Sequence, residues 1–314
     1  MNPSPKNDNH TRSCSRGFTL VELLVATAVL SVLVVMLAQV MSMVSDAWSG
    51  GTGRAERQQN GRALVDFVGR DLRSAALPVD PLSNGLVPDL QFVVNPAAIP
   101  AQFRNPTAIF WQAPIATDTS KGNMAEIGYF VRWDESHNPP RAMLCRVFTN
   151  PGEAQHKVYD TLDWLSQEKL QALAPVDPTT GYRGLFAENV IGFWARCLDS
   201  TGNLISQAEN GGQRGAFDSR KDYLDTSYNG EGATINITRK APVLPSSVEI
   251  SLLMLDSRAA ASITPAIMGT LKSLVSTSDN AATCERQIQV DPTLRSIMRG
   301  MTVQTLKVPL ENAP

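Results

Sequence analysis

Histidine is scarce in this sequence, with three among 314 residues: His10, His137 and His156. None stands in H-E-x-x-H or another metal-ligand spacing, and no G-x-S-x-G, phosphate-loop or dinucleotide fingerprint occurs. Gly51-Thr52-Gly53 lacks the G-K-[ST] ending of a phosphate loop, and no strand precedes it. The common sequence routes to hydrolytic, nucleotide-dependent or zinc chemistry are therefore missing, and neither a catalytic residue, a cofactor nor a metal is expected. An excess of one charge is missing too. Lys and Arg total 28 against 30 Asp and Glu, a net charge of −2, which excludes a surface that binds nucleic acid mainly by neutralising phosphates. With 21 Gly, 20 Pro and 43% hydrophobic residues, the chain reads as folded rather than low-complexity.

What is there is uneven. From Leu23 to Val44 the sequence reads LLVATAVLSVLVVMLAQVMSMV, 22 residues without a formal charge. At about 1.5 Å per residue such a helix covers about 33 Å, enough for the roughly 30 Å hydrocarbon core of a bilayer. A buried core helix rarely stays apolar around its whole circumference over that length, so the run reads as a membrane span. Lys6, Arg12 and Arg16 against Asp8 precede it, which by the positive-inside rule leaves the N-terminus cytoplasmic and the bulk of the chain outside. A secretory signal peptide has a shorter apolar run, about 7 to 15 residues, and an A-x-A exit that is absent here. A lipoprotein signal fails as well, because Cys14 precedes the run instead of closing it. Glu22 remains as the oddity, a carboxylate at the mouth of a hydrophobic stretch, where an ionisable group is costly and marks a functional site by default. Its bland alternative is a headgroup-level carboxylate with no specific task.

Arg16-Gly17-Phe18-Thr19-Leu20-Val21-Glu22-Leu23-Leu24-Val25-Ala26 closely resembles the prepilin leader motif of type IV pilins and of the pseudopilins of type II secretion. The resemblance implies that a membrane prepilin peptidase cuts after Gly17 and methylates the new N-terminus at Phe18, leaving 297 residues with a net charge of −4. It also implies that Glu22, then the fifth residue, pairs with the N-terminal ammonium of a neighbouring subunit in the filament core. A small residue at Gly17 suits close approach of the peptidase to the backbone. A buried charge without such a partner would cost several kcal/mol.

Beyond the span, Asp46 to Gly53 (DAWSGGTG) is expected to break or bend the helix. An amphipathic helix is expected over Arg54 to Leu77, with Leu64, Val68, Leu72 and Ala75 as the stripe facing the head and Pro78 as its stop. Seven prolines between 78 and 114 mark a stretch of loop with short extended pieces. Strands are expected over 107–113, 127–133, 142–148, 190–198, 248–255 and 301–310, with helices over 161–173 and around 258–275, the latter interrupted by Pro265. Asp199 to Asn203 reads as a hairpin turn. His137 and His156 fall in loop-like surroundings. Asp89, Asp134, Asp199 and Asp222 could join a calcium site, but no 12-residue calcium loop exists and isolated loop aspartates usually form turns. Cys145, Cys197 and Cys284 allow one disulfide in three pairings, and Cys145 and Cys197 are read as buried apolar side chains ahead of a bridge.

The order of these segments is similar to pseudopilin J, the large minor pseudopilin of type II secretion, and the Verru_Chthon cassette protein C group has the same layout. Loops such as 208–240 have no clear counterpart in the pseudopilin pattern. The expected organisation is a leader (1–17), a transmembrane and assembly helix (18–45), an amphipathic helix (46–78) and a periplasmic head (79–314), an α+β pilin-like fold with an antiparallel sheet. The expected function is that of a non-enzymatic, tip-type minor pseudopilin in the inner membrane, with the prepilin peptidase/methylase, other minor pseudopilins, the inner-membrane assembly platform and membrane lipid as partners and no nucleic acid. Two alternatives stand beside it: a minor pilin of a type IV pilus serving adhesion, motility or DNA uptake, and a membrane-anchored extracytoplasmic enzyme or receptor.

Overall fold

A computed structural model describes residues 19–77, 90–97, 99–154, 156, 164–165, 184–205, 207, 215–228 and 234–310, with the backbone alone over 46–57 and at 101, 227, 228 and 234. The chain divides into two compact units, Met1–Ala55 and Glu56–Pro314. Helix α1 spans Leu20–Arg73. It does not break at 46–53. Each glycine there costs about 1 kcal/mol relative to alanine, but no proline removes a donor, and elongating an existing helix needs no new nucleus. The helix ends at Arg73, before Pro78 is reached. The Ser74 hydroxyl takes the Asp71 carbonyl (2.6 Å), and the Ala76 amide turns to the Gln112 carbonyl (3.1 Å), handing the chain to the sheet.

An apolar helix followed by antiparallel sheets makes this an α+β, pilin-like arrangement. Six strands form the larger sheet in the order β5-β4-β3-β2-β1-β7: β1 (Phe92–Val94), β2 (Ala108–Ala113), β3 (Ala125–Asp134), β4 (Arg141–Thr149), β5 (Leu185–Glu188) and β7 (Phe217–Asp218). A three-stranded sheet, β11-β10-β6, combines β6 (Val190–Leu198), β10 (Ser247–Leu255) and β11 (Met301–Pro309). The six expected strands are all present, within a few residues of their ends. A two-stranded ribbon, β8 (Tyr223–Tyr228) with β9 (Thr234–Arg239), occupies the stretch that the sequence pattern left as loop. Only Trp164 and Leu165 of the expected 161–173 helix are among the described residues, and neither is helical; the remainder lies outside them.

The C-terminal helices follow from capping. Pro265 separates α2 (Ser257–Ala261) from α3 (Pro265–Thr277) because its missing N–H is harmless only at a helix start, where Thr264 supplies the cap to the Ile267 amide. Helix α4 (Ala281–Val290), unforeseen in the sequence, starts on Asn280, whose Oδ1 accepts from the Thr283 amide at 2.8 Å. With α5 (Arg295–Met298), these helices cover the three-stranded sheet through Trp194, Leu253, Leu271, Val275, Cys284 and Ile288.

The predicted stripe packs as expected. Val68 and Leu72 are fully buried and Ala75 nearly so, in a core shared with both larger sheets. Two glycines let α1 lie close to β11: a Cβ at Gly61 would stand 2.6 Å from Gln304 Cγ, and one at Gly69 2.7 Å from Leu306 Cδ2. One polar contact fixes the register. Asp71 Oδ2 accepts from the Tyr129 hydroxyl (2.6 Å), from Arg146 Nε (3.0 Å) and from an Arg146 terminal nitrogen (2.9 Å). The Arg146 guanidinium also lies 5.4 Å from the Phe67 ring centre and 4.5 Å from that of Phe148. Burial, then the neighbouring Asp71 charge, pushes the Tyr129 phenol far above its ordinary range. Because loss of one member leaves buried partners unsatisfied, Asp71→Ala is expected to cost about 3–5 kcal/mol in equilibrium urea unfolding. The Asp71→Ala/Arg146→Ala double variant should lose less than the sum of the two single losses.

Candidate processing and assembly site

The stretch from Leu20 to Ser45, 26 residues, is long and apolar enough to cross a membrane, and none of it is buried within the protein. Its large apolar side chains are more than half exposed on every side of the helix, from Val25 at 54% to Leu20 at 81%. A core helix would bury one face; among the described residues this one buries none. The hydroxyls of Thr27 and Ser31 turn back onto the carbonyls of Leu24 (2.9 Å) and Thr27 (2.8 Å), so their donors are satisfied within the helix, as lipid requires.

At its start, Thr19 and Glu22 form a reciprocal capping box. The Glu22 amide donates to Thr19 Oγ1 (3.3 Å), while Glu22 Oε2 accepts from the Thr19 amide (3.0 Å) and the Thr19 hydroxyl (2.9 Å). Two of the helix's orphan amides are thereby satisfied, and the carboxylate sits at the positive end of the helix dipole. Thr19-x-x-Glu22 immediately before an apolar run is the sequence signal for this arrangement. The sequence reading treated Glu22 as a charge awaiting a partner and missed that Thr19 is one. Gly17 and Phe18, the other two residues singled out, lie outside the described residues.

The described head residues singled out in the sequence are engaged in local contacts. His137 Nδ1 lies 2.7 Å from Asp134 Oδ2 and 3.2 Å from Ser136 Oγ, whose proton goes to Asp134 Oδ1 at 2.6 Å. A serine triad needs the hydroxyl and the carboxylate on opposite ring nitrogens; here both meet the same one, which makes a turn. His156 Nε2 contacts the Met124 carbonyl (2.9 Å). Asp199 also closes a turn, accepting from Thr201 Oγ1 (2.9 Å), the Asn203 amide (2.7 Å) and the Thr226 amide (3.2 Å). Burial raises its pKa, but these bonds outweigh burial and hold the carboxyl below its usual range. Asp222 pairs with Lys240 at 2.7 Å. Asp89 lies outside the described residues. No group of three His, Cys, Asp or Glu side chains fit for a metal occurs among the described residues.

Cys145, Cys197 and Cys284 are buried free thiols distributed over three separate apolar clusters. Burial pushes Cys145 up to about 12 and Cys284 up to about 11, and holds Cys197 well above the ordinary value. Thiolates are thus suppressed at neutral pH, which makes all three apolar fillers rather than reactive groups. An open cleft of about 510 Å³ is lined partly by Arg104, Trp194, Arg196 and Ser278. Two of its polar groups are engaged internally, with Trp194 Nε1 donating to the Ser278 carbonyl (2.9 Å) and Arg196 to Glu249 (2.9 Å).

Residues 12–38 match the family model described as the prokaryotic N-terminal methylation motif. The match supports a type IV prepilin-like family, whose members are processed by a prepilin peptidase, assemble with other pilins and are generally structural rather than enzymatic. Together with the apolar helix it is consistent with membrane anchoring. No curated protein and no solved structure matches the chain.

Proposed function

We propose that this chain is a minor, tip-type pseudopilin: a structural subunit of a type II secretion pseudopilus, cut between Gly17 and Phe18, methylated at Phe18 and assembled through its N-terminal helix. The observation that carries the reading is an apolar helix with no protein around it that opens on the Thr19–Glu22 box inside a methylation motif. An ordinary anchor needs neither the glycine nor the acid; a subunit that must leave the bilayer and pack among its own kind needs both. Residues 1–17 serve as the leader, 18–45 as the transmembrane and assembly helix, 46–78 as its continuation and 79–314 as a periplasmic head. The size of that head favours a minor subunit, since every copy of a major one must fit the same helical lattice. Other minor pseudopilins and the inner-membrane assembly platform are the proposed partners, and Glu22 pairs with a neighbour's N-terminal ammonium. Deleting the gene tests the secretion role: loss of exoprotein release with twitching and transformation intact supports it, and loss of twitching or transformation with secretion intact overturns it in favour of a pilus.

A further inference from the structure

We propose that the outer edge of β9 is a self-pairing site, at which a second copy of this chain adds an antiparallel strand about a two-fold axis through Asn236. β8 and β9 form a two-stranded ribbon in which Thr226 faces Asn236. The Thr226 amide donates to Asp199 Oδ2 (3.2 Å) and its carbonyl accepts from Ser200 Oγ (3.3 Å), so both groups point away from β9 and the turn at 199–203 covers the outer edge of β8. In an antiparallel ladder the residue opposite must likewise turn its N–H and C=O outward, which leaves those of Asn236, and of Thr234 and Thr238 two positions away, on the free edge of β9. No hydrogen bond from elsewhere among the described residues reaches these backbone groups.

Such an edge is normally blunted by Lys, Pro or a bulge. From Thr234 to Thr238 there is no charge and no proline, Ile235 and Ile237 are 41% and 37% exposed, and Asn236 and Thr238 are exposed as well. The cations that follow are tied elsewhere, Arg239 to the buried Asp225 (2.7 Å) and Lys240 to Asp222 (2.7 Å). The occupant is set by the sequence itself. Thr234-Ile235-Asn236-Ile237-Thr238 reads the same in both directions. An antiparallel copy centred on Asn236 therefore sets Asn236 against Asn236, Ile235 against Ile237 and residue 234 against residue 238. Each of the three outward-facing pairs exchanges two backbone hydrogen bonds, and the isoleucines of the two copies meet on one face. A second copy placed about this two-fold therefore sets like against like at every pair, with no charge or proline opposed, which an unrelated strand would not do in general.

Cysteine cross-linking of the full-length chain in native membranes tests this, in a Cys14→Ser background where the three remaining native thiols are buried. A hydrogen-bonded antiparallel pair holds its Cα atoms about 5.5 Å apart, within disulfide range. Asn236→Cys should give a disulfide-linked dimer in more than half of the chains under mild oxidation. Leu224→Cys, 57% exposed but off the axis on β8, should stay monomeric. Adding Ile237→Lys to Asn236→Cys should reduce the dimer at least tenfold. A monomeric Asn236→Cys, equal cross-linking of Leu224→Cys, or a dimer that survives Ile237→Lys would each overturn the proposal. Leader cleavage does not enter this readout, so it is independent of the proposed place in a secretion system.

Discussion

Replacing Gly17 by Phe is expected to stop maturation almost completely, so that the chain accumulates in the membrane 17 residues longer than the wild-type product. The reason is steric and local. A peptidase that cuts at the membrane surface must bring its catalytic groups against the scissile backbone, and a side chain at the residue before the cut stands where they approach. Residue 17 lies in the proposed leader, ahead of the described helix, so the variant is expected to insert and fold normally. A denaturing gel of membranes, compared with a strain lacking the peptidase, reads the result. Normal-size product in either sample would remove the basis for assigning the leader.

Glu22→Ala should insert and be cleaved but fail to assemble, with at least a tenfold loss of filament or secretion. The cap and the proposed pairing are separable, because Oε2 caps the helix through Thr19 whereas the proposed pairing needs the negative charge. Loss of a cap costs about 0.5–2 kcal/mol. An ammonium left unpaired in an apolar filament core costs several kcal/mol, so the charge should dominate. Glu22→Gln decides between them, since it keeps a capping oxygen and removes the charge. The charge role predicts that Gln is as defective as Ala, while Thr19→Ala, which removes the hydroxyl's half of the box and keeps the carboxylate, is defective only mildly. If Gln assembled like wild type and Thr19→Ala did not, capping would be the function of Glu22.

Elements with strong local signals were legible in the sequence. The apolar run, the stripe of Val68 and Leu72, and strands such as VIGFWARCL follow from periodicity and β-branched or aromatic content alone. Pro265 marked a helix boundary because a proline can open a helix but not continue one. Other features escaped because their causes are not local. Gly50, Gly51 and Gly53 carry breaker signals, yet the helix continues through them. The ribbon of β8 and β9 has short strands stabilised by Asp199, Asp225 and Arg239, residues that come together only in the fold. The Asp71–Tyr129–Arg146 contact joins positions 58 and 75 residues apart in the chain. The capping box is legible in the sequence, since Thr19 and Glu22 sit at the required spacing before an apolar run, and the same carboxylate carries both the cap and the charge at the membrane entrance.

Mass spectrometry of the N-terminal peptide of the protein isolated from its native membrane tests the central claim most directly. A prepilin-type subunit begins at Phe18 and carries one methyl group on its terminal nitrogen, with Glu22 as the fifth residue. A chain that begins at residue 1 or 2, or one cut beyond the apolar run, would contradict it.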